Sequence, residues 1–305
     1  VLKKINFNFN YRIIIKFSLL LLLISISAVY IISTMVVWNL SHPSRERVYY
    51  NIRKDFTEAE DIGFYSRKND VFLKGWLIKA PDNKKTVIFA HGYGKNRLQD
   101  DVPLIDLVTE LHKQGINVVM FDMRNSGESQ KALTTIGYNE AYDLLGAYDY
   151  ILNRNDVNND VVLHGFSMGA VATILAAEKE PRVKKIIADS PFADLKMYME
   201  DKLSIWSNLP PFPFNFTCIQ MTPLISELSI EEVSPLHKVK NLKNTKMLLI
   251  HGLNDNDIDV KNSEIIANNY SDAKLITFPK AEHVKSYSVD KEKYVRNITE
   301  FILQE

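Results

Sequence analysis

Cysteine is nearly missing: Cys218 is the single one in 305 residues. That excludes an intrachain disulfide and any CxxC metal knuckle, and with no motif around it the thiol reads as a small packed side chain. Charge bias is missing too. Lys+Arg and Asp+Glu both count 37 and are spread along the sequence, which gives no electrostatic footprint for nucleic acid. Internal repeats and low-complexity tracts are also lacking. What remains, 46% hydrophobic and 24% charged residues, is the composition of a globular protein with one large core or two small ones.

One stretch lacks charge altogether. FSLLLLLISISAVYIISTMVVW, Phe17 to Trp38, is long enough to cross a bilayer as a helix. Phe7, Phe9 and Tyr11 before it and Trp38 at its end suit the two interfaces. A cleaved signal should carry a shorter apolar region of roughly 7–15 residues and then a small-residue cleavage site; this run continues into Val36, Val37 and Trp38. The expected organisation is a basic tail at 1–16, a transmembrane anchor at 17–38, a polar connector at 39–57 and a folded body at 58–305. Lys3, Lys4, Arg12 and Lys16 precede the span without an acidic residue, whereas Arg45, Arg47, Arg53 and Lys54 follow it with Glu46 among them. The positive-inside rule then places the body outside the cytoplasm, on a single-pass cell-membrane protein. An anchor of this kind predicts that a chain beginning near Ser44 is soluble and active.

The body alternates. After two strands around Lys68-Asn69-Asp70, apolar runs TVIFAHG, NVVMFDMRNSG, DVVLHGFSMG, KKIIADSPF, KMLLIHG and AKLITFP are separated or followed by segments of helical period. Such alternation predicts an α/β protein with a mostly parallel, doubly wound sheet covered on both faces. Ligands bind beyond the carboxyl ends of such strands, where HGYGKN, DMRNSG, GFSMG, DSPF and HGLNDND all fall. From about 193 to 245 the alternation stops. LKMYMEDKLSIWSNL reads as helical and LPPFPFNF follows, together an insertion expected to cap the crevice.

Gly165-Phe166-Ser167-Met168-Gly169 satisfies G-x-S-x-G between a predicted strand and a predicted helix, the context that gives the pattern meaning. A sharp strand-to-helix turn leaves no room for a Cβ two residues to either side of the serine. The turn presents the Ser167 hydroxyl beside a helix amino terminus. A hydroxyl needs a base to become a nucleophile. His91, His164 and His251 each precede a glycine at a strand end and are expected to be structural, whereas His283 sits in the loop after the last strand, in the order Ser…Asp…His. The orienting acid is expected to be Asp255, on the first bend after KMLLIHG. Asp257 and Asp259 read as solvated or capping residues, and Asp189, one strand earlier, remains an alternative because triads are recognised by geometry. The oxyanion donors are expected to be the backbone N–H groups of Met168 and Tyr93. Trp206, Phe212 and Phe214, with Phe216, are candidates to line an acyl pocket or touch the bilayer, or simply to pack the insertion on the core.

AHGYGKNR, DMRNSGES, HGFSMGA, IHGLNDNDI and AEHVKSY together resemble the successive signature blocks of the α/β-hydrolases. The likeness covers roughly Glu58 to the carboxyl terminus. It is greatest to single-span, membrane-anchored bacterial members grouped with esterase-like and acylaminopeptidase-like hydrolases. Asn125 departs from the pattern, standing where many relatives have glycine. The resemblance implies an α/β-hydrolase fold with a small helical cap and a serine hydrolase of esterase type (EC 3.1.1). It implies a small-molecule acyl substrate, a lipid bilayer as the other partner, and neither metal nor organic cofactor. A peptidase using the same triad and a non-catalytic, membrane-tethered binding protein are the alternatives.

Overall fold

A computed structural model describes residues 11–304; residues 1–10 of the expected basic tail, with Phe7 and Phe9, lie outside the described residues. The chain begins with helix α1 (Tyr11–Ser41), which contains the whole expected anchor and runs three residues into the expected connector. At 1.5 Å per residue it is roughly 46 Å long, and it is long and apolar enough to cross a membrane.

Eight strands then form one sheet: β1 (Glu60–Tyr65), β2 (Phe72–Ile78), β3 (Lys85–Ala90), β4 (Ile116–Asp122), β5 (Val161–Phe166), β6 (Lys185–Asp189), β7 (Lys246–Gly252) and β8 (Ala273–Phe278). Their spatial order is β1-β2-β4-β3-β5-β6-β7-β8. β2 runs antiparallel to both of its neighbours, β1 and β4, and the five other pairs are parallel. Each buried strand feeds two cores because its side chains alternate. On β4, Val119 and Phe121 enter one core while Val118 and Met120 enter the other. The first core is covered by α3 (Glu140–Leu152) and α4 (Met168–Lys179), and the second by α2 (Leu104–Lys113) and the terminal helix Lys291–Leu303. The sheet and its flanking helices have the α/β-hydrolase fold that the signature blocks implied.

Between β6 and β7 the chain leaves the sheet as α5 (Leu195–Ser207) and α6 (Pro211–Ser226), followed by short helical turns. Asp194 caps α5 by accepting from the Met197 N–H at 3.0 Å. The proline-interleaved stretch is the start of α6, with Pro211 in its first turn, where a missing N–H costs nothing. α6 packs along α1, so the apolar amino-terminal helix and the cap form one unit. Val37 meets Leu203 and Cys218 in a small core of their own.

Candidate active site

The carboxyl ends of β3, β5, β7 and β8 face one crevice, and the loop after each supplies one group. The turn after β5 has the tightest backbone. Ser167 lies at φ 53°, ψ −117°, a conformation unfavourable to any L-residue with a side chain. Its N–H is held by the Asp189 carbonyl at 2.8 Å. A Cβ on Gly165 would lie 2.1 Å from the Gly169 carbonyl oxygen, which is why the motif needs its first glycine.

His283 stands between Ser167 and Asp255. Its Nδ1 is 2.7 Å from Asp255 Oδ2 and its Nε2 is 2.9 Å from Ser167 Oγ. A carboxylate can only accept, so Nδ1 carries the proton and Nε2 presents its lone pair to the serine O–H. Burial alone would lower the imidazole's pKa, but the hydrogen bond to Asp255 and that residue's charge outweigh it and raise the value. Burial would likewise raise the Asp255 carboxyl. Hydrogen bonds from His251 and His283 and the Ile258 N–H hold it well below the ordinary carboxylate range. Its Oδ1 accepts from the backbone N–H groups of Asp257 and Ile258 at 3.0 and 2.8 Å. It is an ionised acceptor fixed on both oxygens.

His251 was not foreseen as a neighbour of this acid. Its Nε2 donates to the Ile258 carbonyl at 2.7 Å and faces Asp255 Oδ2 at 3.3 Å, while Nδ1 accepts from Ser263 Oγ at 2.7 Å. A histidine four residues before the acid was the available signal. Asp189 is engaged elsewhere, accepting from Tyr294 and Ser190 hydroxyls, each at 2.9 Å, and burial pushes its carboxyl up to about 6. His164 is fully buried against Tyr294, and burial pulls its imidazole down to about 3. His91 accepts from the Met123 N–H at 3.0 Å.

Met168 opens α4, so its N–H has no acceptor one turn back. Tyr93 lies across the crevice in the turn after β3, where Gly92 N–H is taken by Gln99 at 2.6 Å. Neither Met168 nor Tyr93 N–H is bonded to another described residue. Both residues line a cavity of about 490 Å³ that also contains Ser167 and His283.

Trp206 lies on the cavity wall, with Phe192, Leu195, Tyr198 and Met199. Phe212 and Phe214 do not line it, which corrects the sequence expectation for these two. Phe212 enters α6 in an extended conformation (φ −100°, ψ 132°), and 83% of it is exposed on the outside of the cap. The lining also contains three residues that sequence reasoning missed, Val37, Leu40 and Ser41 from the end of α1.

Asp255, Asp257 and His283 offer ligand atoms within 4.8 Å of one another, the cluster among the described residues that could hold a metal. Both ring nitrogens of His283 are already engaged, Nδ1 with Asp255 and Nε2 with Ser167. The donor set suits a base and its orienting acid better than a metal.

The fold, with a serine on its strand-to-helix turn, defines an α/β-hydrolase with serine-hydrolase activity. More specifically, the chain belongs to the prolyl oligopeptidase family, whose model matches residues 105–305. It is 28% identical to the uncharacterized protein YqkD of Bacillus subtilis over 233 residues, 75% of each chain. Among solved structures, the esterase Pf2001 of Pyrococcus furiosus is 26% identical, with a TM-score of 0.69 over 86% of this chain and 97% of that one. The acylaminoacyl peptidase of Pyrococcus horikoshii shares the fold at 22% identity, with a TM-score of 0.62 over 80% of this chain and 41% of that one.

Proposed function

We propose that the protein is a membrane-anchored hydrolase of carboxylic esters or thioesters that works through an acyl-enzyme on Ser167. The observation that carries this reading is the His283 imidazole, 2.7 Å from Asp255 and 2.9 Å from Ser167 at the edge of a largely apolar cavity. Ser167 Oγ attacks the acyl carbon as its proton passes to His283 Nε2. The developing oxyanion accepts from the Tyr93 and Met168 N–H groups, donors worth about 3–4 kcal/mol each in comparable sites. His283 then returns the proton to the departing alcohol or thiol. Water, deprotonated by the same nitrogen, attacks the acyl-enzyme, releases the carboxylic acid and restores the serine. Asp255 stays ionised throughout and holds the tautomer.

Support for an uncleaved anchor comes from α1 itself. Its residues 17–28 are exposed and uncharged, unlike a soluble core helix, while its last turns are joined to the cavity, unlike a removable signal. The distribution of Lys and Arg favours a single-pass cell-membrane protein with the body outside the cytoplasm. A peptidase with the same triad is the second reading, favoured by the family match. A panel of acyl esters, acyl thioesters and blocked peptides offered to the purified full-length protein separates the two. Ester or thioester turnover that Ser167→Ala removes is expected. Cleavage confined to the peptides would replace this reading with the second one.

A further inference from the structure

The cavity above Ser167 is closed on one side by the apolar amino-terminal helix. Val37, Leu40 and Ser41 line it from the last turns of α1, together with Met168 and Trp206. They are held there from both sides. The last carbonyls of a helix have no intrahelical donor, and here the body supplies them: Tyr93 O–H donates to the Leu40 carbonyl at 2.8 Å, and Thr134 N–H to the Ser41 carbonyl at 3.0 Å. Just beyond, the Arg45 guanidinium donates to the Gly127 carbonyl at 2.7 Å. On the cap side, the Ser33 and Thr217 hydroxyls share a buried hydrogen bond of 2.6 Å, and Val37 packs on Leu203 and Cys218. Tyr93 is thus both a wall contact of α1 and the proposed oxyanion donor.

The depth of this wall follows from charge. No Asp, Glu, Lys or Arg occurs between Lys16 and Arg45. A bilayer core takes about 20 helical residues; counted from Phe17 they end near Val36, one residue before the cavity wall begins. The cap helices that flank this level carry large apolar side chains outward, with Ile205 69%, Phe212 83%, Phe216 61% and Leu224 75% exposed. An exposed apolar rim on helices packed against a span suits contact with the bilayer interface.

We propose that the last turns of α1 are a fixed wall of the acyl pocket and hold its mouth at the bilayer surface, so that the substrate is a single-chain acyl ester or thioester presented from the membrane. The inference rests on the ester-hydrolase reading and names the substrate class for it. A volume of about 490 Å³ lies within the range of small-molecule pockets and suits one chain with its ester group. It also revises the expectation that a chain beginning near Ser44 works normally, because such a chain lacks Val37, Leu40 and Ser41.

The test uses the full-length protein in phosphatidylcholine vesicles, with kcat/KM measured for octanoyl and acetyl esters of one alcohol. Val37→Trp and Leu40→Trp, which fill the pocket, are expected to lower the octanoyl-to-acetyl ratio tenfold or more. Ile31→Trp, on the exposed face of α1, should leave the ratio unchanged. Should the tryptophans prevent folding, Val37→Ala and Leu40→Ala enlarge the pocket and should raise the ratio. Added phospholipid at constant total octanoyl ester should slow turnover by diluting the substrate in the surface. Ratios that ignore all four wall variants, a rate that follows bulk concentration alone, or preference for a two-chain ester would each overturn the proposal. Fluorophosphonate labelling of Ser167 in the same samples tells the two readings apart. Labelling and ester turnover with an unmoved ratio overturn the pocket wall alone, whereas no labelling and no turnover in the wild type overturn the ester reading and this inference with it.

Discussion

Gly169 lies so close to Ala90 that a Cβ built on it would stand 2.1 Å from the Ala90 carbonyl oxygen. The helix that carries the serine therefore packs directly on the backbone of the strand that carries the Tyr93 turn. Neither partner is a flexible side chain that could move aside. Gly169→Ala should destabilise the fold at or above the top of the roughly 1–3 kcal/mol range of overpacking, read as a lower midpoint in urea. A midpoint equal to wild type would show that the two backbones are not in contact.

Asn125, the departure from the signature block, sits at φ +58°. Asparagine tolerates this left-handed region better than most other residues with a side chain, so it can stand where the pattern has glycine. Asn125→Gly should be near neutral. Asn125→Ala should cost about 1 kcal/mol for the β-carbon in that region, measured by thermal or urea unfolding. Equal stabilities for the alanine and glycine variants would argue for a different loop conformation.

The pH dependence follows from His283. In the proposed mechanism it must be neutral to accept the serine proton, and Asp255 raises its pKa despite burial. Activity is therefore lost as pH falls through a value above the ordinary imidazole pKa of about 6.5. The acid limb of kcat/KM should lie on that side. Asp255→Asn removes the charge, should shift the limb to lower pH, and should cut kcat by up to about 10⁴-fold through loss of the tautomer. An acid limb indifferent to Asp255→Asn would detach the carboxylate from the base.

The site's local parts were legible because each is encoded within a few residues. A Cβ on either glycine around Ser167 would stand 2.1 Å from a backbone oxygen, and Asp255 and His283 each follow a strand whose apolar run sets where the loop emerges. The helical insertion was readable as a break in the alternation. The direction of its aromatics was not, because Pro–Phe alternation gives no period that says which face is covered, and Phe212 and Phe216 both point outward. Least visible was the docking of α1. The sequence after Trp38 reads as a polar connector, yet Leu40, Ser41 and Arg45 are fixed by partners more than 50 residues away in the chain, two of them meeting backbone carbonyls of α1 itself. Contacts with main-chain atoms leave no trace in composition or periodicity.

The central claim of the proposal is chemical: that His283, 2.9 Å from Ser167 Oγ, makes that hydroxyl a nucleophile. The most direct measurement is the rate of fluorophosphonate labelling of the full-length protein, with the modified residue located by peptide mass spectrometry. A single adduct on Ser167, absent from Ser167→Ala and formed at least a hundredfold more slowly in His283→Ala with its thermal stability retained, is the expected result. An adduct on another residue, or equal labelling of Ser167 without the imidazole, would contradict it.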